Sequence, residues 1–311
     1  MQKINLKDPL VSVLMNCFNG EKYLRESLDS ILSQTYKNWE LIFWDNQSTD
    51  QSAEIFHSYN DSRFKYFLAK KHTNLGGGRA QAFHFLSGEF IAVLDTDDLW
   101  FSNKLEEQLK SFRDEKVGIS ITNTEFFSEK RSKVFYKEPP EQGWVTNNLL
   151  NNYYVSLETL MLRSSLVKHL DYAFDSDFSH IADFDLVLRM STISKLVYVP
   201  KILARWRVHY SSATSSSKDD FTFEAKKWFQ KNFNNSLFIR HQEALDNFNN
   251  NNNIQLIKFL ITSSNLAEAR ILMKKVKINS WKAFVIYIIC YLPVLNFLIS
   301  IREYLLKRLW Y

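Results

Sequence analysis

The first 115 positions alternate between unbroken apolar runs and segments of helical period. VSVLMNCF precedes EKYLRESLDSILSQ, ELIFWD precedes a helix near Gln51 to Tyr59, FKYFLA precedes GRAQAFHFL, and FIAVLD precedes a helix near Asn103 to Arg113. Short apolar runs bounded by turn residues predict buried strands, and the 3.6-residue recurrence between them predicts amphipathic helices. Strand and helix in strict alternation predict a Rossmann-like α/β domain with a mostly parallel sheet and helices on both faces. Ligands of such sheets bind beyond the carboxyl ends of the strands. At those ends the chain carries Asn16 to Asn19, Asp45 with Asn46, and Asp95 to Asp98.

From Val117 to about Tyr210 strand-like VGISIT, LETLML and LVYV mix with shorter helical pieces, as the second half of the same domain. After SSATSSSKDD the pattern turns helical. Three segments are therefore expected: an α/β domain over 1–216, a helical extension over 217–280, and an amphipathic or membrane-associating segment over 281–311. Asn249 to Asn253 read as a low-complexity loop between two helices. Ala283 to Leu292 is continuously apolar but too short to span a bilayer, and Pro293 interrupts it. Val294, Leu298, Ile301 and Leu305 then recur at helical spacing opposite Asn296, Ser300, Glu303 and Lys307, the pattern of an interfacial helix or of one packed on the domain.

Charge sharpens this division. Residues 1–217 hold 25 basic and 27 acidic side chains, whereas 218–311 hold 14 and 7. The C-terminal excess flanks apolar sequence, which favours an anionic membrane surface over nucleic acid as partner. Two cysteines, Cys17 and Cys290, leave no disulfide framework or cysteine-rich zinc site and fit a reducing compartment. The run from Pro9 to Phe18 is interrupted by Asn16 and lacks a small-residue cleavage site, so it reads as a strand and not a signal peptide.

FIAVLDTDDLW places Asp95, Asp97 and Asp98 within four positions of a strand end. One aspartate there caps the following helix; three repel one another unless a cation or a ring of donors satisfies them. Hard oxygen ligands suit Mg²⁺ or Mn²⁺ completed by phosphate oxygens. A calcium loop starting at Asp95 fails, because Leu99 and Trp100 occupy the positions that need an oxygen ligand and a glycine. A phosphatase D-x-D usually opens its domain, yet three strand–helix units precede this one. The glycines of NLGGGRA suggest a nucleotidyltransferase loop or a dinucleotide fingerprint, but their spacing does not match G-x-G-x-x-G, and they follow the third strand, not the first.

Four segments in order resemble the family-2 glycosyltransferases of GT-A fold: Val11 to Asp50 as a whole, LDTDDLW, ADFDLVLRM, and RWRVHYSSATS. The resemblance covers roughly Asp8 to Ser217. It implies a nucleotide-sugar donor, commonly UDP-linked, whose base and ribose meet Asn16, Phe18, Asn19, Asp45 and Asn46, with Phe18 as a stacking face. From the residues alone Phe18 would more often be core. Arg79 and Asp95 are expected at the diphosphate, and Asp97 is expected to hold the cation, with His209 and either Asp95 or Asp98 as further ligands. Asp183 is the expected general base of an inverting transfer to a glycan or polyprenyl-linked acceptor, and Asp185 with Arg189 a structural pair one turn apart. Two departures stand out. Asn46 follows Asp45 where many relatives have paired aspartates, which loosens the preference for uracil, and Ala182 replaces the acid before Asp183, which leaves room for a non-catalytic nucleotide-sugar-binding protein. The resemblance and the basic tail imply an enzyme of bacterial envelope polysaccharide synthesis, cytoplasmic and peripheral on the inner face of the membrane.

Overall fold

The computed structural model describes residues 8–209, 212, 218–278 and 280–291. It divides into two compact units, Met1–Val208 and His209–Tyr311. The first is a mixed α/β domain. Its strands are β1 (Val11–Cys17), β2 (Trp39–Asp45), β3 (Phe64–Leu68), β4 (Phe90–Val93), β5 (Leu99–Trp100), β6 (Val117–Phe127), β7 (Ser132–Val134), β8 (Met161–Arg163) and β9 (Lys195–Arg207). They form one sheet in the order β3-β2-β1-β4-β8-β6-β9-β5, with β7 paired to β6. The helices between them are α1 (Glu21–Leu32), α2 (Ser52–His57), α3 (Leu75–Phe83), α4 (Lys104–Leu109), α5 (Thr146–Asn151), α6 (Ser164–Val167) and α7 (Ala182–Ile193).

β1 to β4 pair in parallel, as the alternating pattern predicts. Every residue of β1 and of β2 is buried, which is the reason their sequences read as unbroken apolar runs instead of alternating ones. Leu24, Leu28 and Ile31 of α1 recur at helical spacing and close one face of these strands together with Phe43 and Phe56. Beyond β4 the pairing becomes mixed: β8 runs antiparallel to both β4 and β6, while β6 and β9 pair in parallel along most of their length. LETLML does not form one strand. A 3₁₀ turn takes Leu157–Thr159 before β8, and Ser156 Oγ donates to the buried Glu158 carboxylate there.

α4 buries a lysine completely. Lys104 Nζ donates to Gln108 Oε1 at 2.6 Å and sits 4.2 Å from the centre of the Trp100 ring. Burial lowers its pKa from 10.5 to about 7, against the opposing pull of Glu158. Below pH 7 the ammonium is charged in both folded and unfolded chains; between 7 and 10.5 the folded chain has shed its proton and the unfolded chain has not, so stability rises with pH. Lys104→Met is therefore expected to gain most in melting temperature relative to the parent below pH 7, with the gain shrinking as pH climbs. Melting curves at several pH values check this, and a difference that stays constant would contradict a buried, depressed lysine.

The second unit is helical, with helices over Lys218–Asn232, Gln242–Thr262, Leu266–Met273 and Trp281–Tyr291. The asparagine run is not a loop: Asn249 to Asn253 lie inside the continuous helix Gln242–Thr262. Asparagine is a poor helix former because its amide competes for nearby backbone groups, but here tertiary partners occupy those amides. Asn250 Nδ2 donates to the Lys277 carbonyl while its Oδ1 accepts from the Lys277 amide, and Asn252 Nδ2 donates to the Thr222 carbonyl. On the helix Trp281–Tyr291, Ala283, Ile286, Ile289 and Cys290 pack on Ile257, Ile261 and Met273. Among the described residues no helix is long and apolar enough to cross a membrane. The expected amphipathic stretch from Val294 to Lys307 lies outside the described residues.

Candidate active site

The site is assembled at the carboxyl ends of β1, β2 and β4, around α3. Asn74 starts that helix: its Oδ1 accepts from the Gly77 amide at 2.7 Å, and its Nδ2 donates to the Ser176 carbonyl at 2.8 Å. The glycines after it are there for close approach. A Cβ at position 76 would overlap the carbonyl oxygens of Phe178 and Asp175, and one at 78 would come within 2.5 Å of Asn16 Oδ1. α3 is thereby pressed against β1 on one side and against the chain leading into α7 on the other.

That packing delivers Arg79 to the centre. Its side chain is 3% exposed, and Nη2 donates to Asp95 Oδ1 at 2.6 Å. Its charge also acts on Asp183, the second residue of α7. Tyr153 Oη donates to Asp183 Oδ2 at 3.1 Å. Loss of solvent raises the Asp183 pKa above the ordinary carboxylate value, against the pulls of Arg79 and of the tyrosine hydrogen bond. Loss of solvent likewise raises Asp95, with the Asp97 charge adding to it and Arg79 opposing it. One guanidinium thus pairs with the carboxylate at the end of β4 and acts through its charge on the carboxylate at the start of α7. Asp185 and Arg189, one turn apart on α7, form a buried pair at 2.5 Å, and Arg189 also donates to the carbonyls of Tyr172 and Ala173.

The three carboxylates after β4 part company. Asp98 is buried, its Oδ1 accepts from the Arg207 amide at 2.8 Å, and burial with the charges of Asp97, Glu158 and Asp95 raises its pKa well above the ordinary value. Arg207 of β9 also donates from Nε to the Asp97 carbonyl at 2.9 Å, so the turn is clamped from across the sheet. Among the described residues no group of three or more His, Cys, Asp or Glu side chains is placed to hold a metal ion. Asp95 and Asp97 still suit Mg²⁺ or Mn²⁺, which typically take one or two protein carboxylates and complete their shell with phosphate oxygens and water. His209, the further ligand implied by the resemblance, is the first residue of the second unit.

The expected base and ribose residues sit together but differ in availability. Phe18 is 49% exposed, and its ring lies 4.2 Å from that of His72. Asn16 is buried with Oδ1 lacking a protein partner, as does Nε of Arg79. Such atoms cost about 1–3 kcal/mol each when left unpaired. Asp45 is committed inside the protein, its Oδ1 accepting from the Ser48 amide and its Oδ2 from Tyr66 Oη. Asn46 clamps Thr73 by accepting from its amide and donating to its carbonyl. Asn19, in the left-handed backbone region at φ 53°, accepts from the Thr49 amide. Tyr153, His72 and Arg207 escaped the sequence reading. Only Arg207 lay in a quoted motif; the others are set by contacts across 30 and 54 positions, 153 against 183 and 72 against 18, which no local spacing encodes.

The family model "Glycosyl transferase family 2" matches residues 12–166. An Escherichia coli protein, the UDP-Glc:alpha-D-GlcNAc-diphosphoundecaprenol beta-1,3-glucosyltransferase WfgD, is 31% identical over 214 residues, 68% of this chain and 82% of the relative. Among solved structures, S. aureus TarS 1–349 in complex with UDP-GlcNAc superposes with a TM-score of 0.60 at 20% identity, over 78% of this chain and 70% of that one. A mannosyltransferase from Pyrobaculum calidifontis in complex with GDP-Man and Mn²⁺ gives 0.60 at 17% identity, over 78% and 72%. Order of motifs, sheet topology and these matches agree: the chain belongs to the family-2 glycosyltransferases and carries their GT-A fold.

Proposed function

We propose that the protein is a metal-dependent, inverting glycosyltransferase that moves a sugar from a UDP-linked donor to a polyprenyl-diphosphate-linked acceptor, as the name of the E. coli relative describes for that enzyme. The observation that carries the reading is the Asp95–Arg79–Asp183 arrangement, which brings a phosphate-end carboxylate, a buried cation and an enclosed carboxylate of raised pKa to one centre. In this reading Asp183 accepts the proton of an acceptor hydroxyl while Tyr153 holds the carboxylate in place. The acceptor oxygen forms its bond to the anomeric carbon from the face opposite the diphosphate, the bond to the leaving oxygen breaks, and the configuration inverts. Arg79 faces the charge that develops on the leaving diphosphate. A Mg²⁺ or Mn²⁺ ion held by Asp97 and Asp95 would add Lewis-acid stabilisation of that charge.

Phe18 and His72 present the stacking face for the base. A thermal-shift panel of UDP-, GDP-, dTDP- and CMP-sugars with and without Mn²⁺ tests the reading: one nucleotide class is expected to stabilise, by about 2.7 kcal/mol at a hundred times its dissociation constant. Stabilisation by none of them would refute it.

The helix Trp281–Tyr291 supports a peripheral position on the inner, anionic face of the membrane. Its outward side carries Trp281, Phe284, Val285, Tyr287 and Tyr291, all at least 40% exposed. Lys274, Lys275, Lys277 and Lys282 flank that side in sequence. Aromatic rings and lysines in this combination suit the headgroup region. Replacing Trp281 and Phe284 with serine is expected to reduce sedimentation with phosphatidylserine vesicles several-fold; equal binding by the variant would remove the helix from the membrane reading.

A further inference from the structure

At the edge where the reacting centre lies, β6 outruns its neighbour β8. It pairs with β8 only as far as Ser120, then continues to Phe127 with β9 on one side and β7 on the other. Because β8 is antiparallel to both β4 and β6, β4 and β6 run the same way, and the protruding end of β6 emerges on the side where Asp95 to Asp98 follow β4. Side chains on this ribbon alternate between its two faces. Arg207 turns toward α1, where it donates to Glu26 and lies over the Tyr23 ring. Trp206 and Phe126, opposite each other in register, take the other face. Phe135 joins them from the chain after β7, its amide donating to the Thr124 carbonyl at 2.9 Å. The three rings form a row: Phe135 stacks on Phe126 at 4.9 Å, and Phe126 meets Trp206 edge-on at 4.7 Å.

The Phe135 end of this row is tied to Asp183. Tyr136 follows Phe135 with its ring 4.6 Å away. Asn123 grips the Tyr136 backbone twice, accepting from its amide at 3.0 Å and donating to its carbonyl at 2.9 Å. Tyr136 Oη donates to the Tyr154 carbonyl, and the preceding residue, Tyr153, donates to Asp183. Hydrogen bonds therefore fix the position of Phe135 relative to the carboxylate, whereas Trp206, at the far end, adjoins the Arg207 clamp on the Asp97 turn. The rings are half-buried, and Lys133 stands in register with Phe126 at their border. Half-open aromatic faces with polar groups beside them suit a sugar, apolar on its ring face and hydroxylated at its rim, better than a prenyl chain. A general base meets the acceptor hydroxyl, so a platform fixed to the base's own neighbours stands on the acceptor side. We propose that Phe135 is the platform on which the acceptor's sugar ring lies, with Tyr136 positioning it so that the hydroxyl to be glycosylated meets Asp183. This assignment rests on the transferase reading above and names the group that recognises the acceptor.

The test compares the full chain with Phe135→Leu, which keeps apolar bulk against Phe126 but removes the flat face, and with Phe135→Tyr, which keeps the face. The probes are UDP-Glc and a short-chain GlcNAc-diphosphate-prenol, the donor and acceptor types in the name of the E. coli relative. KM for the acceptor is expected to rise about tenfold or more in Phe135→Leu, about 1.4 kcal/mol per decade, and to stay within about threefold of the parent in Phe135→Tyr. Calorimetric affinity for UDP in Mn²⁺ is expected to be equal in all three proteins. Saturation-transfer NMR with the aromatic protons irradiated reads binding without turnover: the acceptor's sugar protons gain signal in the parent and lose it in Phe135→Leu. An unchanged acceptor KM in Phe135→Leu overturns the proposal. An equal rise in both variants also overturns it, since packing alone then explains the ring. Saturation that reaches only the prenyl protons assigns the row to the lipid, and a raised KM for UDP-Glc in place of the acceptor's assigns it to the donor; either result overturns the platform. A parent that transfers no sugar yet passes saturation to the GlcNAc ring through Phe135 sinks the transferase reading and leaves the sugar platform standing.

Discussion

Asp183→Asn is expected to lower the transfer rate by about 10²- to 10⁴-fold while leaving the affinity for the nucleotide donor unchanged. The substitution keeps shape and polarity, and Asn still accepts a hydrogen bond from Tyr153, but no proton acceptor of useful basicity remains. Its pH dependence follows from the same geometry. The base works deprotonated, and its pKa is raised by loss of solvent, so the acid limb of kcat lies at higher pH than an ordinary carboxylate would place it. Tyr153 donates to the charged form and pulls the pKa down. Tyr153→Phe therefore moves the acid limb further up, an effect that a purely structural tyrosine would not produce. Asp183 also stands in the first turn of α7, where Asp and Asn both suit the helix terminus. A variant that transfers within about threefold of the parent would leave Asp183 only that structural role and exclude it as the base.

Asp97→Asn is expected to abolish the Mn²⁺-dependent part of donor binding and to cost about 10²- to 10³-fold in kcat/KM, the scale of several kcal/mol of charge stabilisation at the leaving group. The local fold should survive, because Arg207 holds this turn through the Asp97 carbonyl and the Asp98 carboxylate, neither of which the substitution removes. Calorimetric titration of UDP with and without Mn²⁺ gives a readout separate from turnover. Equal Mn²⁺ dependence in parent and variant would return Asp97 to a role in the turn alone.

The alternation of apolar runs and helical periods in the first 115 residues carried the architecture, because β1 and β2 are buried on both faces and such strands cannot hide their composition. The strand-end residues were legible for the same reason: once the strands are known, topology places Asn16, Asp45 and Asp95 at one edge. The conversion of Asp45 and Asn46 into internal clamps was not legible, since Tyr66 Oη and the Thr73 backbone reach them from 21 and 27 positions away. The asparagine run shows the same limit from the opposite side. Composition alone favours a loop, and only hydrogen bonds to Lys277 and Thr222 make those side chains compatible with a helix interior. Asp183 could be picked out by its motif, but its partners Arg79 and Tyr153 belong to segments about 100 and 30 residues away, and the close packing that brings α3 to α7 depends on what a Cβ at Gly76 would strike. What the amino-acid sequence determined by itself is the periodic, local part of this protein, where burial on one or two faces leaves a repeating mark. What only the tertiary structure decided is which polar groups are spent on holding the chain and which remain for a ligand, because hydrogen-bond partners are chosen by proximity in space and leave no period along the chain.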